Sequence, residues 1–225
     1  MFKIFFIRTL VFVSIFVINQ VNAEINLTSW DSNGISNWQE KEFSGQTLYQ
    51  VDNFKGRVAL QAISNQGASG LVLTQKIDLL DTPYLNWTWL VEKKLNGLQE
   101  QQKSGDDFVA RIYVVIDGGF FVWKTKSLNY VWSSNQQKGK IWNNPFASSN
   151  VKMMSLRGVE SEVSKWYNEK RNVYQDLIAT FGDKGSEAAN QKAYQYIDVV
   201  AIMTDSDNSQ LQAESYYGDI IFTAN

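Results

Sequence analysis

The stretch Asp107-Phe-Val-Ala-Arg-Ile-Tyr-Val-Val-Ile-Asp117 decides the fold class. In an extended chain successive side chains point to opposite faces, so Phe108, Ala110, Ile112, Val114 and Ile116 fall together. That face is wholly apolar and requires a core to cover it. The opposite face, Asp107, Val109, Arg111, Tyr113, Val115 and Asp117, is mixed, with a guanidinium and a phenol two residues apart. A strand of this kind belongs to a sheet packed on a second layer. Its mixed face is then either a second hydrophobic layer or a binding surface.

The same period recurs on both sides of this segment. Short runs rich in Val, Ile, Tyr and Trp, separated by Gly, Asn, Ser and Asp, predict strands at residues 47–51, 57–63, 70–77, 85–92, 108–117, 127–133, 151–156, 197–204 and 216–222. Nine strands with irregular connections predict an all-β fold, two antiparallel sheets packed as a β-sandwich of jelly-roll type. One short helix is expected at 173–181, where Val173, Leu177 and Phe181 recur at helical spacing and Gly182 supplies a stop. Residues 93–103 are Gln-rich and read as an exposed, mobile loop.

The chain is 225 residues long, with 44% hydrophobic residues and a formal net charge of −2. It contains neither Cys nor His. That excludes disulfides, thiolate nucleophiles, Ser-His-Asp triads and Cys/His zinc sites. Basic residues nowhere form more than a close pair, so nucleic acid is not an expected partner. At the start, Lys3 and Arg8 precede about ten apolar residues and the small-x-small site Val21-Asn22-Ala23. This is the pattern of a secretory signal peptide cleaved after Ala23. The apolar run after Arg8 falls short of the roughly 17–25 residues that span a bilayer. A single β-sandwich domain from residue 24 onward, periplasmic or secreted and without a membrane span after cleavage, is expected.

The 8 Trp, 10 Tyr and 13 Phe suggest where a ligand would sit. An indole or phenol ring stacks on the C–H face of a sugar, and nearby polar groups must then satisfy its hydroxyls. Arg111, Tyr113, Tyr130 and Trp132 form the constellation that fits, with Arg171 as a further candidate for an acidic sugar. The competing account is plain packing, since Trp and Tyr are mostly buried. Asp205, Asp207 and Asn208 crowd oxygen atoms onto a turn after an apolar strand, as a structural Ca²⁺ requires. The simpler account is a turn whose Asp and Asn side chains bond their own backbone. No other cofactor is implied. Glu169, Asp176, Asp205, Asp207 and Asp219 could supply a carboxylate pair for glycan hydrolysis, but their spacing selects no pair. A non-catalytic role is the expectation.

Several strings then occur in order: Gly105-Asp-Asp-Phe-Val-Ala-Arg-Ile-Tyr-Val-Val-Ile116, Leu128-Asn-Tyr-Val-Trp-Ser133, Glu169-Lys-Arg-Asn-Val173, Ala201-Ile-Met-Thr-Asp-Ser-Asp-Asn208 and Tyr216-Tyr-Gly-Asp-Ile-Ile-Phe222. Together they resemble the bacterial domain-of-unknown-function 3047 family, over residues 38–222. The resemblance implies export and a shared architecture rather than an activity. The closing Gly-Asp-Ile-x-Phe strand is more distantly similar to galactose-binding-like and carbohydrate-binding jelly-roll sandwiches, a likeness of fold. The expected function is non-catalytic binding of a glycan or cell-envelope saccharide. A carboxylate-dependent glycan hydrolase or lyase, and an envelope protein-interaction subunit, are the alternatives.

Overall fold

The computed structural model describes residues 23–30, 35–120 and 124–225. Apart from Ala23, the expected signal peptide lies outside the described residues. Thirteen strands are present among them. They are β1 (Glu24–Asn26), β2 (Gln39–Ser44), β3 (Thr47–Phe54), β4 (Arg57–Asn65), β5 (Ala68–Asp78), β6 (Tyr84–Lys93), β7 (Ala110–Ile116), β8 (Lys126–Trp132), β9 (Ile141–Asn144), β10 (Ser148–Arg157), β11 (Tyr167–Asn172), β12 (Tyr196–Asp205) and β13 (Gln212–Thr223). The first sheet runs β11-β6-β13-β4-β3, with β1 also on β13; the second runs β2-β5-β12-β7-β8-β10-β9. This is the expected two-sheet β-sandwich. The nine predicted strands are β3 to β8, β10, β12 and β13.

The pairing is antiparallel with one exception. Strand β10 lies parallel to β8, because the chain leaving β8 forms the edge strand β9 first and turns back between the two. The strands missed by the sequence reading are short or polar. All six residues of β2 are exposed, and β11 reads Tyr-Asn-Glu-Lys-Arg-Asn with no apolar alternation.

Helix α1 (Val173–Phe181) forms at the predicted residues. The Asn172 side chain accepts a hydrogen bond from Gln175 N at 3.0 Å, and Gly182, at φ 91°, closes the end by donating to Ile178 O. A second helix, α2 (Glu187–Tyr194), was not foreseen; only Asn190 and Tyr194 are buried, so no apolar stripe marks it. The loop at 93–103 corrects the expectation of full exposure. Leu95 and Glu100 are buried, and the Glu100 carboxylate accepts from Ser133 Oγ and Ser134 N.

The core lies between the sheets and is strongly aromatic. Trp87 and Trp89 of β6 meet Tyr130 and Trp132 of β8, with ring centroids 5.4 Å apart for Trp87–Tyr130 and 5.9 Å for Trp89–Trp132. Ala110, Ile112, Val114 and Ile116 face this core as their period requires. The alternation fails at the start of the same segment. Val109 enters the main core, whereas Phe108 joins Val131, Trp142 and Met153 in a small cluster apart from it. The break falls just before β7 begins at Ala110, beside a hydroxyl from the other sheet. Tyr217 of β13 donates to Met203 O at 2.8 Å and accepts from Arg111 N at 3.1 Å, at the end of the β7–β12 ladder.

Candidate functional site

The outer face of the second sheet carries a cleft of about 520 Å³. Its lining includes residues from all seven strands of that sheet: Phe43 from β2, Ala68 from β5, Met203 and Asp205 from β12, Arg111 and Tyr113 from β7, Asn129 from β8, Val151 from β10 and Asn144 from β9. The cleft therefore runs across the strands. Seven strands at about 4.8 Å spacing are roughly 29 Å from edge to edge. Phe43 and Phe146 come from its two ends and are 61% and 56% exposed.

The pleat decides which predicted residues reach this cleft. Arg111 and Tyr113 do, being on the mixed face of β7. Tyr130 and Trp132 do not. They pair with Ile112 and Ala110 on the core face and are fully buried, so packing accounts for them. Arg171 is also elsewhere. It forms a two-point pair with Asp176 of α1, whose Oδ2 also accepts from Tyr130 Oη at 2.8 Å. Glu169 pairs with Arg157 and accepts from Trp89 Nε1. Among the cleft residues that escaped the sequence reading are Phe43, Asn129, Asn144 and Phe146. A lone Phe in the otherwise polar run Gln39–Ser44 was the one available signal.

Several polar groups in the cleft are poorly satisfied. The Tyr113 hydroxyl reaches only Met203 Sδ, at 3.3 Å, and Asn129 Nδ2 reaches Met153 Sδ at 3.4 Å. A thioether is a weak acceptor. Arg111 is buried and bonds Asp205 through Nη2, but its Nε has no partner. Asp106 accepts from Asn144 Nδ2 through Oδ2, whereas Oδ1 has no partner. Gly105 lets this segment approach the 93–103 loop, since a Cβ there would lie 2.7 Å from the Gln99 backbone.

Carboxylates gather at one end of the cleft. Asp107 receives Asn208 N and Nδ2 on Oδ1 and Ser209 N on Oδ2, which holds the turn after β12. Asp205 Oδ1 accepts from Phe108 N at 3.0 Å. One oxygen each from Asp107, Asp205 and Asp207 lies within 4.8 Å of the others. Burial pushes the Asp205 carboxyl above the ordinary carboxylate range; Arg111 opposes the rise, and Asp107 and Asp106 add to it. Asp106 is raised by burial as well, with Arg111 pulling it down. Of the predicted metal ligands, Asp205 and Asp207 thus meet with Asp107 added, while Asn208 presents its amide nitrogen to Asp107 and Asp207.

A second groove, of about 630 Å³, lies on the outer face of the other sheet near Arg57, Asn86, Lys170 and Asp219. Its Asn86 amide is satisfied by Tyr84 O and Thr223 Oγ1. Among the described residues no helix is long and apolar enough to cross a membrane.

Solved structures similar to this chain include the family 11 carbohydrate-binding module of the cellulosomal cellulase Lic26A-Cel5E of Clostridium thermocellum, at 11% identity and TM-score 0.43 over 89% of this chain and 94% of that one. The xyloglucanase domain of NopAA from Sinorhizobium fredii follows at 9% identity and TM-score 0.45, over 83% and 92%. Cellulose induced protein Cip1 gives 9% and 0.46, over 84% and 92%. These likenesses are distant and say nothing of what this chain binds. No curated protein matches the sequence. The model of the family described as "Protein of unknown function (DUF3047)" matches residues 36–221, and the chain belongs to that family.

Proposed function

We propose that this is an exported, non-catalytic glycan-binding protein whose cleft on the seven-stranded sheet takes an extended saccharide chain. The observation that carries the reading is the unmet hydrogen bonding of the cleft. The Tyr113 hydroxyl and the Asn129 amide have sulfur partners where a sugar hydroxyl would be the better one. Phe43 and Phe146 add ring faces for stacking at the two ends. Export rests on the leader at residues 1–23, and N-terminal sequencing of the protein recovered from cells should read Glu24 first.

The binding test is calorimetric titration of soluble polysaccharides, neutral and acidic. Phe43→Ala and Phe146→Ala should each weaken binding by about tenfold, equal to about 1.4 kcal/mol. Their unfolding midpoints should stay where they are, because both rings are largely in water. If no polysaccharide binds, or if both variants bind as tightly as the parent, the cleft reading fails. Release of reducing sugar during the titration would instead make the protein a hydrolase.

A further inference from the structure

We propose that the acidic end of the cleft is a divalent-cation site, fitted to Ca²⁺ and built by Asp107, Asp205 and Asp207. The site stands independently of the glycan reading. Its geometry is the first argument. Ca²⁺ binds oxygen at about 2.3–2.6 Å, so ligands on opposite sides of one ion are about 4.6–5.2 Å apart. The three carboxylate oxygens, all within 4.8 Å of each other, fit inside that span. Mg²⁺, with bonds of about 2.0–2.1 Å and strict octahedral demands, suits a buried all-carboxylate cluster less well than the more adaptable Ca²⁺.

The second argument is the buried charge. Asp106 is only 6% exposed, lines the same cleft, feels the charges of Asp107 and Asp207, and keeps Oδ1 without a partner. Four carboxylates (Asp106, Asp107, Asp205 and Asp207) thus gather at this end of the cleft, where Arg111 is the guanidinium that lines it. Like charges held together away from water repel strongly, and a divalent cation removes most of that excess. The chain also offers a fourth oxygen. The Asn208 amide now donates Nδ2 to both Asp107 and Asp207, and a half-turn about its last bond presents Oδ1 to the same place.

Bound there, the ion joins the segment entering β7 to the turn leaving β12, two chain regions that flank Arg111 in the cleft. It would also take up carboxylate charge now shared with Arg111, leaving the guanidinium more of its own for an acceptor on the ligand.

The test uses the whole protein, stripped with chelator and returned to metal-free buffer. Calorimetric titration with CaCl₂ should show one ion per chain, and Ca²⁺ should raise the unfolding midpoint while equal Mg²⁺ raises it less. Tb³⁺ should give sensitised emission that Ca²⁺ displaces, with Tyr113 the nearby donor ring. Asp207 is half-buried, so Asp207→Asn should fold and should bind Ca²⁺ at least tenfold more weakly. Absence of both a binding heat and a midpoint shift in the parent overturns the site. So does unchanged Ca²⁺ affinity in Asp207→Asn, which would put the ion elsewhere. Should that variant not fold, the parent's Tb³⁺ emission decides alone: no sensitised emission, or emission that Ca²⁺ leaves intact, rejects the proposal.

Discussion

Among the described residues two Arg–Asp pairs rest on a buried carboxylate, and they are built to opposite plans. Arg171–Asp176 is closed. The guanidinium meets both carboxylate oxygens, Tyr130 donates to the same carboxylate, and Arg171 keeps about a third of its side chain in water at 35% exposed. Arg111–Asp205 is open. A single contact joins them, Arg111 Nε is unpartnered, three more carboxylates press on the pair, and both side chains are almost wholly buried. A pair that only braces the fold is expected to satisfy its own hydrogen bonds, as the first does. The second leaves valences unmet beside an aromatic-edged cleft, which is why the proposed binding site is drawn around it.

The largest difference should appear when each carboxylate is neutralised. In chelator, Asp205→Asn strands a buried guanidinium and should cost about 3–5 kcal/mol in urea unfolding. Asp176→Asn should cost less, about 1–2 kcal/mol, because water can take up the half-exposed Arg171. Equal losses would show that the two pairs do the same work.

The two phenols sharpen the contrast at a smaller scale. Tyr130→Phe removes a hydrogen bond to a buried carboxylate and should cost about 1–2 kcal/mol of stability without touching saccharide affinity. Tyr113→Phe gives up only a contact to sulfur. Its stability should change by less than about 0.5 kcal/mol, whereas its saccharide affinity should fall by about twofold to tenfold, the worth of one net hydrogen bond. The reverse pattern would return the binding site to the core-side aromatics.

The smallest effect concerns a third buried carboxylate, Glu100, which has hydrogen bonds but no cation. Burial raises its pKa above the ordinary glutamate value, and the Ser133 and Ser134 donors only partly offset this. In the window between the unfolded and the raised folded pKa, the native state binds more protons than the unfolded chain. Its contribution to stability is therefore complete below the ordinary glutamate value and is lost as pH rises through the raised one. Unfolding midpoints measured from acid to neutral pH should fall less steeply in Glu100→Gln than in the parent.

The β-sandwich was readable because its signals are local. Alternation over β7, β6 and β8 and the Val173, Leu177, Phe181 spacing of α1 need no partner to be recognised. Strands β2, β9 and β11 and helix α2 were not, since neighbours rather than an apolar period hold them in place. The aromatic constellation is split between cleft and core for a geometric reason. Arg111 and Tyr113 share one face of β7, but the antiparallel register puts Tyr130 opposite Ile112 and Trp132 opposite Ala110, on the other face.

By itself, then, the sequence determined the two-faced strands, the capped helix, and the absence of every His- or Cys-based chemistry. Which carboxylate meets which arginine was decided only in three dimensions. Asp107 and Asp205 come together because β12 lies beside β7, and a pairing between distant segments leaves no periodic trace along the chain. Whether a ring is core or surface was decided in the same way, by the register of the strand that carries it.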